Sequence, residues 1–192
     1  MITMADAIRP STRVTPLAYE VLLVLLGSAL IALSAWVAVP VPFSPVPVTG
    51  QTFAVLLVGS ALGARRGAAA ALAYLAEGCS GLPVFAGGAA GPHVMLGPTG
   101  GYLAGFVLGA LVCGTLAERG WDRRVSTTVA SMVLGNVMIL VPGLLQLQAF
   151  VGPDRVLAMG LVPFLAGDVV KIAIAAALLP LAWKWIGHGR PE

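Results

Sequence analysis

Asp168 and Lys171 stand three residues apart in an otherwise apolar run, VPFLAGDVVKIAIAAALLPLAW, from Val162 to Trp183. On a helix that spacing turns both side chains to the same face, about one turn apart. Each charge costs about 2.5–3.5 kcal/mol inside a bilayer, so such residues face an interior or one another. The pair offers an acceptor beside a donor, which suits a neutral ligand carrying amide-like N–H and C=O groups. A proton relay and a structural ion pair that fixes helix packing are the competing chemistries. Glu77 is the only other acid well inside an apolar span, and no second acid lies in line with Asp168. Ligand contact is therefore the favoured role.

The elements that must position this pair are membrane spans. The chain is 58% hydrophobic and 10% charged over 192 residues, with a mean hydropathy of +0.95, which no soluble domain of this size sustains. Six spans are expected, at about Leu17–Val39, Gln51–Ala64, Gly67–Leu82, Thr99–Ala117, Val125–Gln148 (interrupted near Pro142) and Val162–Trp183. They make one membrane domain over 17–186, with tails at 1–16 and 187–192. Val21–Leu33 and Ala32-x-Ser34 have some features of a signal peptide. The apolar run continues to Val41, however, so it is expected to remain as a span. Val39–Gly50 (VPVPFSPVPVTG) reads as a stiff, non-helical connector, and Gly81–Gly101 as a glycine-rich segment too irregular to span. Six crossings put both termini on one side, with Arg9, Arg13, Arg65, Arg66, Arg119, Arg123, Arg124, Lys184 and Arg190. Only Arg155 falls opposite, so both termini are expected to be cytoplasmic. A pocket in the outer half, roofed by the two uncharged loops, follows as an expectation.

Other polar residues then acquire a depth. Tyr102 is either an interfacial anchor or the wall of a ring-binding site. Asn136 serves as helix–helix glue or as a ligand contact, and Gln51 as a ligand contact or a span-end residue facing water. Glu77 is expected to be satisfied by a neighbouring helix, and His93 to be solvated in its loop. Ser28 and Ala32 form a small-xxx-small pair that packs within the monomer or docks a partner. Cys79 and Cys113 read as buried free thiols, with no metal-ligand clustering. The basic residues lie at span ends and signal topology, so nucleic acid is not an expected partner. GPTGG lacks the Gly-Lys-Ser/Thr ending of a phosphate-binding loop. With no Ser/His dyad, HExxH or acidic metal cluster in the spans, an enzyme is disfavoured and no cofactor or metal is expected.

VPVPFSPVPVTGQT, GLPVFAGGAAG, LGPTGGYLAGF and PFLAGDVVK, in that order, resemble BioY, the biotin-binding S components of energy-coupling-factor (ECF) transporters. The likeness covers roughly Ala35–Ala177. It implies an all-α, six-helix ECF S-component fold in the cell membrane of a prokaryote, capturing biotin for import. Residues matching the family's contacts to the biotin head are Tyr102, Asp168 and Lys171. The first outer loop, with Phe43 and Val46, would lie along the valeryl tail. A family ligand-binding Asn has no counterpart here; the segment carries Gly87 and Gly88 instead, so backbone groups substitute or the contact differs. Ser28 and Ala32 match the helix face that docks on a transmembrane T subunit, itself bound to paired ATPases that consume the ATP. An S component for another small vitamin, and a solitary transporter working as an oligomer without partner subunits, stay open as alternatives.

Overall fold

Apolar runs punctuated by Gly and Pro fold here into a helical bundle, seen in a computed structural model that describes residues 2–8 and 15–188. Arg9, Arg13 and Arg190, used above to orient the spans, lie outside the described residues. The order is α1 (Met4–Ala7), α2 (Pro16–Ser34), α3 (Gln51–Leu62), α4 (Ala64–Cys79), α5 (Gly100–Glu118), α6 (Val125–Val151), α7 (Val156–Gly160) and α8 (Val162–His188). Among the described residues, four segments are long and apolar enough to cross a bilayer: α2, α5, α6 and the α7–α8 unit. The chain is thus a multi-pass membrane protein. α3 and α4, with 12 and 16 residues, fall short of the usual 20-residue span. α6 continues unbroken through Pro142, contrary to the expected interruption.

α5 is the axis of the bundle. It packs most extensively on α6 and also lies against α3 and α4, whereas α2 and α8 are peripheral. Its glycines explain the closeness. Gly101, Gly105 and Gly109 recur every four residues and so form one stripe, turned toward α6. A methyl group on Gly105 would sit 2.7 Å from the Ile139 Cα and 2.8 Å from its carbonyl oxygen, both backbone atoms. Gly59 of α3 meets Ala110 of α5 in the same way.

The two ends of the bundle differ. At the basic end, α3 turns into α4 at Gly63, whose φ of +88° suits glycine. The Glu118 carboxylate accepts from the Ala64 amide at 2.8 Å, placing an anion at the start of α4. Arg66 bridges Asp6 (2.7 Å) and Glu20 (2.5 Å), and the Tyr19 hydroxyl donates to the Ala5 carbonyl at 2.7 Å. Asp122, between α5 and α6, is buried and accepts from the Trp183 indole at 2.5 Å. Burial pushes its carboxyl upward, and the indole opposes the shift.

At the opposite end the Pro-rich connector is not helical, as expected. It closes as a two-stranded antiparallel ribbon pairing Ala38 with Thr49 and Val39 with Val48. The Ser44 hydroxyl donates to the Met159 carbonyl (2.7 Å), seating the connector on α7, a short helix that sequence reasoning did not foresee. The glycine-rich segment carries two single-turn 3-10 helices, Ala86–Gly88 and Pro92–Val94. The Gln146 amide donates to the Met95 and Gly97 carbonyls at 2.9 and 2.8 Å, fixing that segment to α6.

Two predictions follow from this packing. Gly105→Leu should destabilise the detergent-solubilised protein by about 3 kcal/mol or more, since the obstructing atoms are backbone and cannot rotate away. Thermal unfolding should show the loss, while Gly187→Ala, with open space around it, should leave the midpoint unchanged. Burial alone would raise Asp6, but the Thr3 hydroxyl and amide and the Arg66 guanidinium outweigh it and hold the carboxyl below its ordinary value of 3.8. A lowered folded pKa gives stability that is present above the unfolded value and lost as pH falls through the folded one. Asp6 is partly exposed, so the contribution is at most about 1 kcal/mol. The melting-temperature gap between wild type and Asp6→Asn should be present at pH 7 and close below about pH 4.

Candidate functional site

Bundle and loops enclose a cavity of about 370 Å³ at the loop end, within the range of small-molecule sites. Its polar wall is built from three helices. On α8, Asp168 is 6% exposed and lines the cavity. Its Oδ2 accepts from the Asn136 amide of α6 at 2.7 Å, and its Oδ1 lies 3.4 Å from the Lys171 Nζ. Lys171 also donates to the Thr52 Oγ1 of α3 at 2.9 Å. The carboxylate is thus held by a neutral donor on one oxygen and a cation on the other, the arrangement that makes a buried charge tolerable.

Lys171 itself does not line the main cavity. It borders a second void of about 10 Å³, which shares Thr52, Asn136 and Asp168 with the large one. The cation therefore stands behind its acid partner. The same face of α8 presents Phe164 one turn earlier, whose ring lies 5.8 Å from that of Tyr102, centroid to centroid.

Tyr102 is buried on the wall, and its hydroxyl donates to the Gly160 carbonyl at 2.9 Å. The ring fits because Gly143 across from it has no side chain. Phe106, one turn on, and Phe85 from the glycine-rich segment extend the aromatic wall. Tyr74 packs edge-on against Phe85 with centroids 5.6 Å apart. Gln51 is buried on the wall and donates to the Tyr74 hydroxyl, which donates in turn to the Val84 carbonyl at 3.2 Å. One relay thus ties α3, α4 and the loop bearing Phe85.

Several sequence candidates take other places. Val46 is 4% exposed and lines the cavity between Pro45 and Pro47, whereas Phe43 is 60% exposed and lies off it. Gly87 and Gly88 adopt left-handed backbone, at φ +68° and +75°, and it is their neighbours Ala86 and Ala89 that reach the wall. Ser28 turns inward at 0% exposure and donates to Glu77 Oε2 at 2.6 Å. That bond satisfies Glu77 from a neighbouring helix and removes Ser28 from the outer surface of α2, where Leu22, Leu26, Leu30 and Leu33 are exposed instead. Ala32 is half-buried against the core. Cys113 is buried, with its Sγ 3.3 Å from the Ser131 carbonyl, and Cys79 is half-buried.

Sequence reasoning missed Thr52, Phe85, Phe106 and Phe164; His93 is exposed in its loop, as expected, and also lines the cavity. Phe106 and Phe164 carried a usable signal, lying four residues from Tyr102 and Asp168 respectively, on the same helical faces. Thr52 carried none. Among the described residues no His/Cys/Asp/Glu group has the geometry to hold a metal ion.

The BioY family model matches residues 6–188. The biotin transporter BioY of Thermotoga maritima is 41% identical over 152 residues, covering 79% of this chain and 88% of that protein. The biotin transporter BioY of Rhizobium etli is 37% identical over 166 residues, covering 82% and 89%. A solved crystal structure, that of the S-component for biotin from an ECF-type ABC transporter, superposes with a TM-score of 0.78 at 22% identity. The superposition covers 89% of this chain and 95% of that one, and shows a common fold. Matched along almost its whole length, the chain belongs to the BioY family.

Proposed function

We propose that the protein is the biotin-binding membrane component of a biotin uptake transporter. The observation that carries the reading is the cavity whose polar wall joins Asp168, Asn136 and Thr52 and whose remaining surface is aromatic and aliphatic. Relatives bearing the name biotin transporter support it. Biotin's ureido ring is a neutral donor–acceptor group. Asp168 accepts from a ureido N–H. The Thr52 hydroxyl, already accepting from Lys171, keeps its own proton to donate to the ureido carbonyl. Lys171 acts from behind, holding the Asp168 side chain in its orientation. The thioether ring meets the faces of Tyr102, Phe106 and Phe164, and the alkyl chain runs beside Val46 and its flanking prolines.

In this reading the chain crosses the cell membrane of a prokaryote six times with both termini in the cytoplasm, and the cavity opens outward beneath the two uncharged loops. Import then draws on a transmembrane T subunit and paired ATPases that supply the energy. For about 16 non-hydrogen ligand atoms, nanomolar capture asks about 0.8 kcal/mol per atom, within reach of a small ligand.

Equilibrium binding of labelled biotin to the detergent-purified protein tests this. Asp168→Asn should weaken binding about a hundredfold, because one of the two acceptor oxygens becomes a donor and Lys171 is left without its anion. Lys171→Met should cause a comparable loss by another route, leaving Asp168 buried without its cation. Phe43→Ala, off the cavity, should change the dissociation constant less than twofold. Wild-type protein that binds another vitamin in place of biotin would overturn the assignment.

A further inference from the structure

We propose that His93 receives the ligand's carboxylate at the open end of the cavity, fixing which way round the molecule enters; this rests on the biotin reading above. Three side chains lining the cavity bear ionisable groups: Asp168, Tyr102 and His93. Of these only the imidazole can carry positive charge and donate from both ring nitrogens to a carboxylate. The acidic wall is already complete, since Asp168 is matched by Lys171 and Asn136. A second carboxylate brought there would meet a like charge in a buried setting. His93 is exposed, so a carboxylate beside it stays partly hydrated and escapes most of the desolvation cost. The neutral ring therefore goes inward and the anion outward.

Position 93 is held rather than loose. Its 3-10 turn lies between two anchors, the Gly91 amide donating to the Gly78 carbonyl at 2.7 Å and the Gln146 amide gripping Met95 and Gly97. Gly91 has a φ of +94°, and a methyl group there would lie 2.9 Å from the His93 Nδ1. The absence of a side chain at 91 leaves room for the imidazole to fold back over the backbone. Sequence Gly91-Pro92-His93 thus sets a base at the cavity rim.

The test compares biotin with its uncharged carboxamide on wild type, His93→Gln and His93→Arg, by equilibrium binding to the purified full chain. His93→Gln should weaken biotin about fivefold, the range for a solvent-accessible ion pair, and shift the carboxamide less than twofold. His93→Arg should keep the wild-type preference for the acid over the amide. Equal losses for both ligands, or an unchanged affinity of His93→Gln for biotin, would overturn the assignment. Should the Gln variant fail to fold, loss of the acid-over-amide preference in His93→Arg overturns it as well. Wild-type protein that binds neither ligand would sink the biotin reading itself, a distinct result.

Discussion

A single carboxylate, buried where three helices meet, sets the terms for the rest of the molecule. Asp168 is tolerated in an apolar bundle because donors surround it, and those come from different segments: Asn136 from α6 and Lys171 from its own helix, with Lys171 in turn held by Thr52 of α3. Breaking such a buried pair costs about 3–5 kcal/mol, so α3, α6 and α8 are obliged to keep a common register. α8 packs mainly on α6 and only lightly on α3. The Lys171–Thr52 bond is therefore a large part of what holds the far wall in place.

The remaining walls depend on close approach. The glycine stripe of α5 brings that helix against α6 until backbone meets backbone, and Tyr102 and Asn136 face one cavity because of it. Larger residues at Gly101 or Gly105 would push the aromatic wall away from the polar one. Packing and recognition are here the same constraint: the residues that let the helices touch also set the width of the site.

The acid–base pair and its helix were legible in the sequence because charge in an apolar run is rare and helical spacing is regular. The same spacing, carried one turn further, points to Phe164 and Phe106. What lay beyond reach was depth and direction around each helix axis. Lys171 shares a face with Asp168, yet a modest difference in angle puts it behind the acid. Ser28 read as a small residue on a contact face, and the structure turns that face toward Glu77. Thr52 meets Lys171 across 119 positions of sequence, a pairing no local pattern encodes. Loop geometry was equally hidden: nothing in VPVPFSPVPVTG says that Val46 faces inward and Phe43 outward until Ser44 is seen bonded to Met159.

The two ends of the bundle are closed by bonds of different kinds. At the basic end Arg66, Asp6, Glu20 and Glu118 form charge-assisted bonds of 2.5–2.8 Å among α1, α2, α4 and α5, the stronger class of hydrogen bond. Over the cavity, Ser44 and Gln146 make neutral bonds to backbone carbonyls, each contributing about 1 kcal/mol net. Segments held by a few such bonds open locally at far lower cost than a packed helical core. Here those bonds are joined by the Gly91–Gly78 bond and by the burial of Phe85 and Val46 in the core, so both loops are seated by packing as well as by hydrogen bonds. None of these contacts draws on the buried carboxylate, so the polar wall and its roof are assembled independently.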